Sequence, residues 1–168
     1  MPQVPFASLP PHARLWIFAA DHTLTGTDAQ RLLAQVDGFV STWKAHGVPL
    51  TAARDWRHDR FLFVAVDEQA TGASGCSIDA LTRSLKDLER DLGVSLLDSG
   101  AVYYRQNAEV RRASRPEFRA LAERGAVSAE TPVFDNTVPT VAALMQWERT
   151  AGESWHAKAF PLRGALTR

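Results

Sequence analysis

Two unbroken apolar runs, residues 15–20 and 61–66, frame the first half of the chain. A run without polar alternation reads as a strand covered on both faces. Between them, Leu32, Leu33, Val36, Phe39, Val40 and Trp43 recur at helical spacing and predict one buried stripe. Thr27 and Gln30 precede the stripe as a capping box; Lys44 and His46 suit the negative end of its dipole, and Gly47 suits the position just past it. Residues 48–58 mix polar and apolar positions, as an edge strand does. After the second run come a glycine-containing turn, the single cysteine Cys76, and a helix carrying Ile78, Leu81, Leu85, Leu88 and Leu92, with Gly93 as its stop. Val102, Tyr103 and Tyr104 predict a fourth strand, turned at Gln106 and Asn107 toward a short partner around Val110.

The resulting order is β-α-β-β-α-β, with the most apolar strands first and third. That is the pattern of an α+β, ferredoxin-like antiparallel sheet with both helices on one face. Residues 1–112 are expected to form this domain, and 113–168 a mostly helical C-terminal extension packed on it. Ser114, Pro116 and Glu117 open one helix of the extension, and Thr140 is expected to cap another bearing Val141, Leu144, Met145 and Trp147. Phe134 and Trp147 are candidates to cover the open face of the sheet or to make a homodimer contact.

Composition narrows the partners. Nineteen basic residues balance nineteen acidic ones, which gives no electrostatic case for nucleic acid or an anionic membrane. RNA binding by an exposed sheet is disfavoured too, because residues 61–66 lack the interleaved aromatic and basic pattern. No apolar run approaches the roughly 20 residues of a membrane span. The opening residues lack a basic segment followed by a long apolar one, so a cytoplasmic location is expected. One cysteine excludes an internal disulfide and fits a reducing compartment.

No cofactor is expected. The Thr71, Gly72, Ala73, Ser74, Gly75 segment begins like a dinucleotide loop, but Cys76 and Ile78 stand where its later glycines belong. A phosphate-binding P-loop needs a lysine that is missing between Lys44 and Lys86, and the six residues between Cys76 and Arg83 are one too many for a phosphatase loop. No metal site is expected either. Asp21 and His22 would meet His58 and Asp59 at one edge of the sheet, but such surface turns are far commoner than zinc sites.

The chemistry concentrates at residues 74–79. Cys76 falls where a helix begins, and unpaired N–H groups and the positive end of the dipole favour a thiolate there. Gly72 and Gly75 permit a tight turn whose amides converge on an anion. The split βαβ arrangement carries Cys76 toward His12, Arg14 and His46. Three roles fit this turn: a reactive thiol, a small-anion site without covalent chemistry, or plain helix capping by Ser74 or Ser77 with Asp79 as a first-turn charge.

Three segments also carry a resemblance. Residues 43–47 (WKAHG), 74–79 (SGCSID) and 153–156 (ESWH) resemble, in that order, a family of small uncharacterised bacterial proteins often labelled ABC transporter ATPases. The Walker A and signature loops of such an ATPase are missing here. The resemblance brings no activity, substrate or cofactor with it; it implies one site uniting His46, the turn of Ser74, Gly75, Cys76, Ser77 and Asp79, and the tail of Ser154, Trp155 and His156. The reading of the turn itself is a site that binds a small anionic ligand or uses Cys76 as a nucleophile, with His46 or His156 as proton acceptor and Ser77 or backbone amides as anion donors. The alternative is a non-catalytic interaction or oligomerisation module working through the extension.

Overall fold

Six consecutive side chains, from Phe61 to Val66, are completely enclosed. They form most of a strand running Phe61–Asp67, and the molecule's computed structural model, which describes residues 3–69 and 75–164 (backbone only for 75–77), shows what encloses them. The elements in chain order are β1 (Arg14–Ala19), α1 (Gly26–Thr42), β2 (Lys44–Ala45), β3 (Val48–Pro49), β4 (Thr51–Arg57) and β5 (Phe61–Asp67). They continue with α2 (Gly75–Leu92), β6 (Val102–Gln106), β7 (Glu109–Ala113), α3 (Arg115–Glu123), β8 (Pro132–Phe134), β9 (Glu148–Thr150) and α4 (His156–Ala159). No described helix is long and apolar enough to cross a membrane.

Contacts divide the chain into two compact units: Met1–Asp98 with Thr137–Ala143, and Ser99–Asn136 with Leu144–Arg168. In the first, β5 is the middle of an antiparallel sheet ordered β1-β5-β4. Successive side chains of a strand face opposite ways. Leu62, Val64 and Val66 therefore share a face, and they pack with Leu32, Val36 and Val40 of α1 and Leu81, Leu85 and Leu88 of α2. Phe61, Phe63 and Ala65 face the other way; Phe6 reaches that side, its ring 6.3 Å from that of Phe63.

This is an α+β protein with antiparallel sheets, and three of the four ferredoxin-like strands take their expected places. The fourth does not. β6 pairs with β7 and β8 in a second sheet ordered β7-β6-β8-β9, and the edge of β1 instead receives residues 137–143. Arg14 bridges Thr140, while the Leu15 and Val141 amides donate to Pro139 and Ala13 carbonyls at 2.9 and 3.0 Å. The physical reason is that β6 has a nearer partner, the β7 hairpin, and a core of its own: Val102, Tyr104 and Ala113 pack with Phe118 and Ala122 of α3. The compact units consequently separate at Ser99, upstream of the 112/113 boundary read from the sequence.

Local details differ as well. Gly26, with φ of +58°, turns the chain into α1 ahead of Thr27, and the Thr27–Gln30 box is replaced by Thr25 as an N-cap without a side-chain bond. α1 stops at Thr42, where the Ser41 and Thr42 hydroxyls donate to the Gly38 carbonyl at 3.0 and 3.1 Å and compete with the helical ladder. His46 and Gly47 become the two-residue turn of the β2–β3 hairpin, both at positive φ, and leave the helix dipole behind. The Thr140 hydroxyl caps only a short 3₁₀ turn, Ala142–Gln146, because the chain leaves β1 here and Trp147 is drawn into the second unit against Phe134, ring centroids 4.9 Å apart. The capping box at Ser114 forms as expected: Glu117 N donates to Ser114 Oγ at 3.2 Å and Ser114 N donates to Glu117 Oε1 at 2.9 Å.

One ion pair clamps α1 to β4. Arg54 donates through Nε and Nη2 to the two oxygens of Asp37 at 2.7 and 2.8 Å, and Gln3 donates to the same carboxylate at 2.9 Å. The Arg54 hydrogen bond holds the Asp37 carboxyl below the usual carboxylate range. Its contribution to stability is therefore present above the ordinary carboxylate value of about 3.9 and fades as pH falls through the lowered one.

Asp37→Ala is expected to cost about 1–2 kcal/mol at neutral pH and less as pH falls below the ordinary carboxylate range, read from urea midpoints; an equal loss at neutral and acid pH would contradict the assignment. Ser114→Ala is expected to cost about 1 kcal/mol in the same measurement, with an unchanged midpoint as the contrary result.

Candidate functional site

Strand register decides which groups meet at each end of the first unit. Arg14 faces Val66 and Ala19 faces Phe61, while Thr51 faces Asp67 and Arg57 faces Phe61. The starts of β1 and β4 thus lie beside the end of β5. α1 leaves the far end of β1 and delivers the chain to β4, so it finishes at this end. α2 follows β5 and starts here; beyond its C-terminus, Ser95 exchanges bonds with Asp21 at the far end, at 3.0 Å to the Ser95 carbonyl and 3.1 Å from the Ser95 amide to Oδ1. α2 is held at that far end by Glu89, whose Oε2 accepts from the Leu96 and Leu97 amides at 2.7 and 3.0 Å.

One end of the first unit therefore gathers the first turn of α2, the β2–β3 hairpin, and the starts of β1 and β4. Gly75, Cys76 and Ser77 form the opening of α2; their side chains, and all of Ser74, lie outside the described residues. Asp79 is exposed, and Ile78 packs against the core. His46 is exposed in its turn. His12 Nε2 lies 3.2 Å from Oδ1 of Asp67, and Arg14 donates through Nη1 to Glu68 at 3.4 Å. The Arg14 guanidinium also sits 4.9 Å from the Trp16 ring centroid. Asp67 further accepts from the Gln69 amide at 3.1 Å, which bends the chain as it leaves β5. The end thus mixes cationic and acidic groups that face solvent.

Trp155 and His156 belong to the second unit, and there they are structural neighbours of its core. His156 has no exposed surface, and Ser154 is buried beside it. Ser154 Oγ lies 2.6 Å from Nδ1 of His156, 3.1 Å from the Ala151 carbonyl, and 3.3 Å from the His156 amide that donates to it. The imidazole stacks on Trp155 with centroids 3.8 Å apart, and its Nε2 has no hydrogen-bond partner among the described residues. Burial pushes the imidazole down to about 4, with Asp135 opposing and Arg115 and Arg149 assisting. Such a ring is neutral, closed to solvent, and unable to meet a substrate while the fold is closed.

The Asp21–His22 and His58–Asp59 turns do approach each other, through a Leu24 amide donating to the Asp59 carbonyl at 2.8 Å. Asp21 is used by its neighbours: Oδ1 lies 2.8 Å from His22 Nδ1 and accepts from Ser95. No group of three or more His, Cys, Asp or Glu side chains suited to a metal occurs among the described residues. Sequence reasoning passed over the Asp37–Arg54 clamp and the pair of buried Asp135 with half-buried Arg149, whose Nη2 donates to Asp135 Oδ2 at 2.9 Å. Neither pair has a local signature, because each joins residues far apart in the chain. The Ser154–His156 pair has one, a hydroxyl two positions before a histidine. No protein-family model, curated protein or solved structure matches the chain.

Removing the Ser154 hydroxyl leaves a buried Nδ1 without its partner. Ser154→Ala is expected to lower stability by about 1–3 kcal/mol in urea unfolding; a change under about 0.3 kcal/mol would show that the Oγ–Nδ1 bond contributes nothing.

Proposed function

We propose that the first unit works through the end at which α2 begins, binding a small anion in the turn before the helix and presenting Cys76 as a thiolate. The observation that carries this is topological: β1, β4, β5, α1 and α2 all place an end there, so His12, Arg14, Lys44 and His46 share it with the opening of α2. An 18-residue helix is long enough to develop its full dipole, and its first amides have no partner within the helix. An anion or thiolate at that position is stabilised by both effects. His46, exposed on the hairpin, is the proton acceptor, and Asp79 marks the first turn of the helix. His156, enclosed in the other unit, takes no part.

Iodoacetamide labelling of Cys76 against pH tests this. The rate is expected to reach half its plateau at least one unit below the free-cysteine value of about 8.5. Inorganic phosphate is expected to slow labelling, and Arg14→Gln to raise the midpoint. A midpoint at or above about 8.5, or a thiol that reacts only after denaturation, overturns the proposal and favours a non-catalytic interaction module.

A further inference from the structure

The enclosure of His156 has a consequence for how the second unit responds to acid. Its ring is bounded by Trp155, stacked at 3.8 Å, by Phe118 of α3 at 6.1 Å, and by Phe160 at 6.4 Å. Phe118 and Phe160 are themselves in edge contact at 4.8 Å. The described residues around the ring thus form an aromatic cage that offers its Nε2 no hydrogen-bond partner.

Counting protons shows what the cage tolerates. The Ser154 hydroxyl has one hydrogen and two neighbours able to accept it, the Ala151 carbonyl and Nδ1. If it donates to Ala151, Nδ1–H donates to Oγ and Nε2 is a bare lone pair. If it donates to Nδ1, Nε2 carries the hydrogen. Both arrangements are neutral and leave only one unsatisfied ring atom. The imidazolium would place a full charge and an unaccepted N–H inside the cage, which costs far more.

The charged groups on the surrounding elements do not offset that cost. Asp135, just after β8, is the acid facing the ring, and Arg149 of β9 already engages it. On α3, Arg115 lies 5.0 Å from the Trp155 ring and Arg119 lies 5.8 Å from the Phe160 ring, where it also donates to the Ala159 carbonyl at 3.0 Å. A second cation stacked on Trp155 would share that ring with Arg115. On the segment itself, Glu153 and Lys158 are exposed.

We propose that residues 151–162 form an acid-released latch: His156 takes up a proton only when this segment leaves the core of the second unit, so acidification opens the latch while β6 and β7 stay paired. Opening would uncover Phe118, Trp155 and Phe160 together. The direction follows from linkage. Burial holds the closed-state imidazole at about 4, below its ordinary 6.5, so the closed latch is at full strength above 6.5 and weakens as pH falls toward 4. One proton per opening makes the open-to-closed ratio rise about tenfold per pH unit across that window.

Hydrogen exchange on the full chain, corrected for intrinsic rates, reads this directly. Protection of the 151–162 amides is expected to fall about tenfold per unit below pH 6.5, while β6–β7 amides keep theirs. In His156→Phe, whose ring fills the cage and takes no proton, the 151–162 protection is expected to be flat with pH. A flat wild-type profile, or the same slope in His156→Phe, overturns the latch; the second result would assign the slope to groups other than His156. If His156→Phe does not fold, the wild-type His156 ring proton signal in NMR decides: it is expected to hold its neutral shift in the folded population to about pH 5, and a smooth titration near the ordinary value overturns the proposal.

Discussion

Burying β5 is the constraint on which the first unit rests. A strand with six enclosed residues in succession has no face to give to water. It must have a neighbour at each edge and cover on each side. β1 and β4 provide the edges, and α1 and α2 cover the side of Leu62, Val64 and Val66. A slip of one residue in either pairing would reverse every side chain of the moving strand, so the register is tightly specified. Once register is set, the ends of the strands are set, and with them the place where α2 begins. The site proposed at that place is therefore a consequence of hydrophobic packing some distance from any reactive group.

The second unit solves a different problem. Its strands are short, and its core depends on aromatic rings from β6, α3 and the tail: Tyr104 and Phe118 at 5.4 Å, then Phe160, Trp155 and His156. A histidine fits this company only as a neutral ring with one nitrogen satisfied by Ser154. The two units thus place these groups in opposite ways. The first displays His12, Arg14 and His46 to solvent; the second seals His156 away from it. Within the first unit, residues 137–143 run beside β1, where a ferredoxin-like fold would seat its last strand.

What the sequence makes legible is local pattern. The two apolar runs became β1 and β5, the leucine stripe became α2, and Ser114 with Glu117 became a closed capping box, because in each case the deciding contacts lie within a few residues. The ends of α1 were misplaced where two short effects outweighed propensity: the left-handed backbone of Gly26, and the Ser41 and Thr42 hydroxyls bonding to Gly38. The partner of β6 was misplaced for a longer-range reason. Val102, Tyr103 and Tyr104 would suit any half-covered sheet, and only the assembled core of α3 and β8 selects the second one. For the site, the order of elements gives the expectation that His12, Arg14 and His46, read as following the end of α1, lie toward Cys76; the hairpin that carries His46 has no such signal. The burial of His156 has none either, since nothing in a polar Glu-Ser-Trp-His stretch announces an aromatic cage.

The shared end of the first unit is the claim on which the functional proposal stands, and the chain's single cysteine supplies a natural probe of it. A nitroxide attached to Cys76 broadens the NMR signals of amides near it, and α2 alone is about 27 Å long, enough to separate its two ends. Broadening centred on residues 12–14 and 44–48, with sharp signals at Asp21, Leu24 and Ser95, is the predicted result. Broadening at Asp21 and Ser95 with residues 12–14 and 44–48 untouched would contradict it.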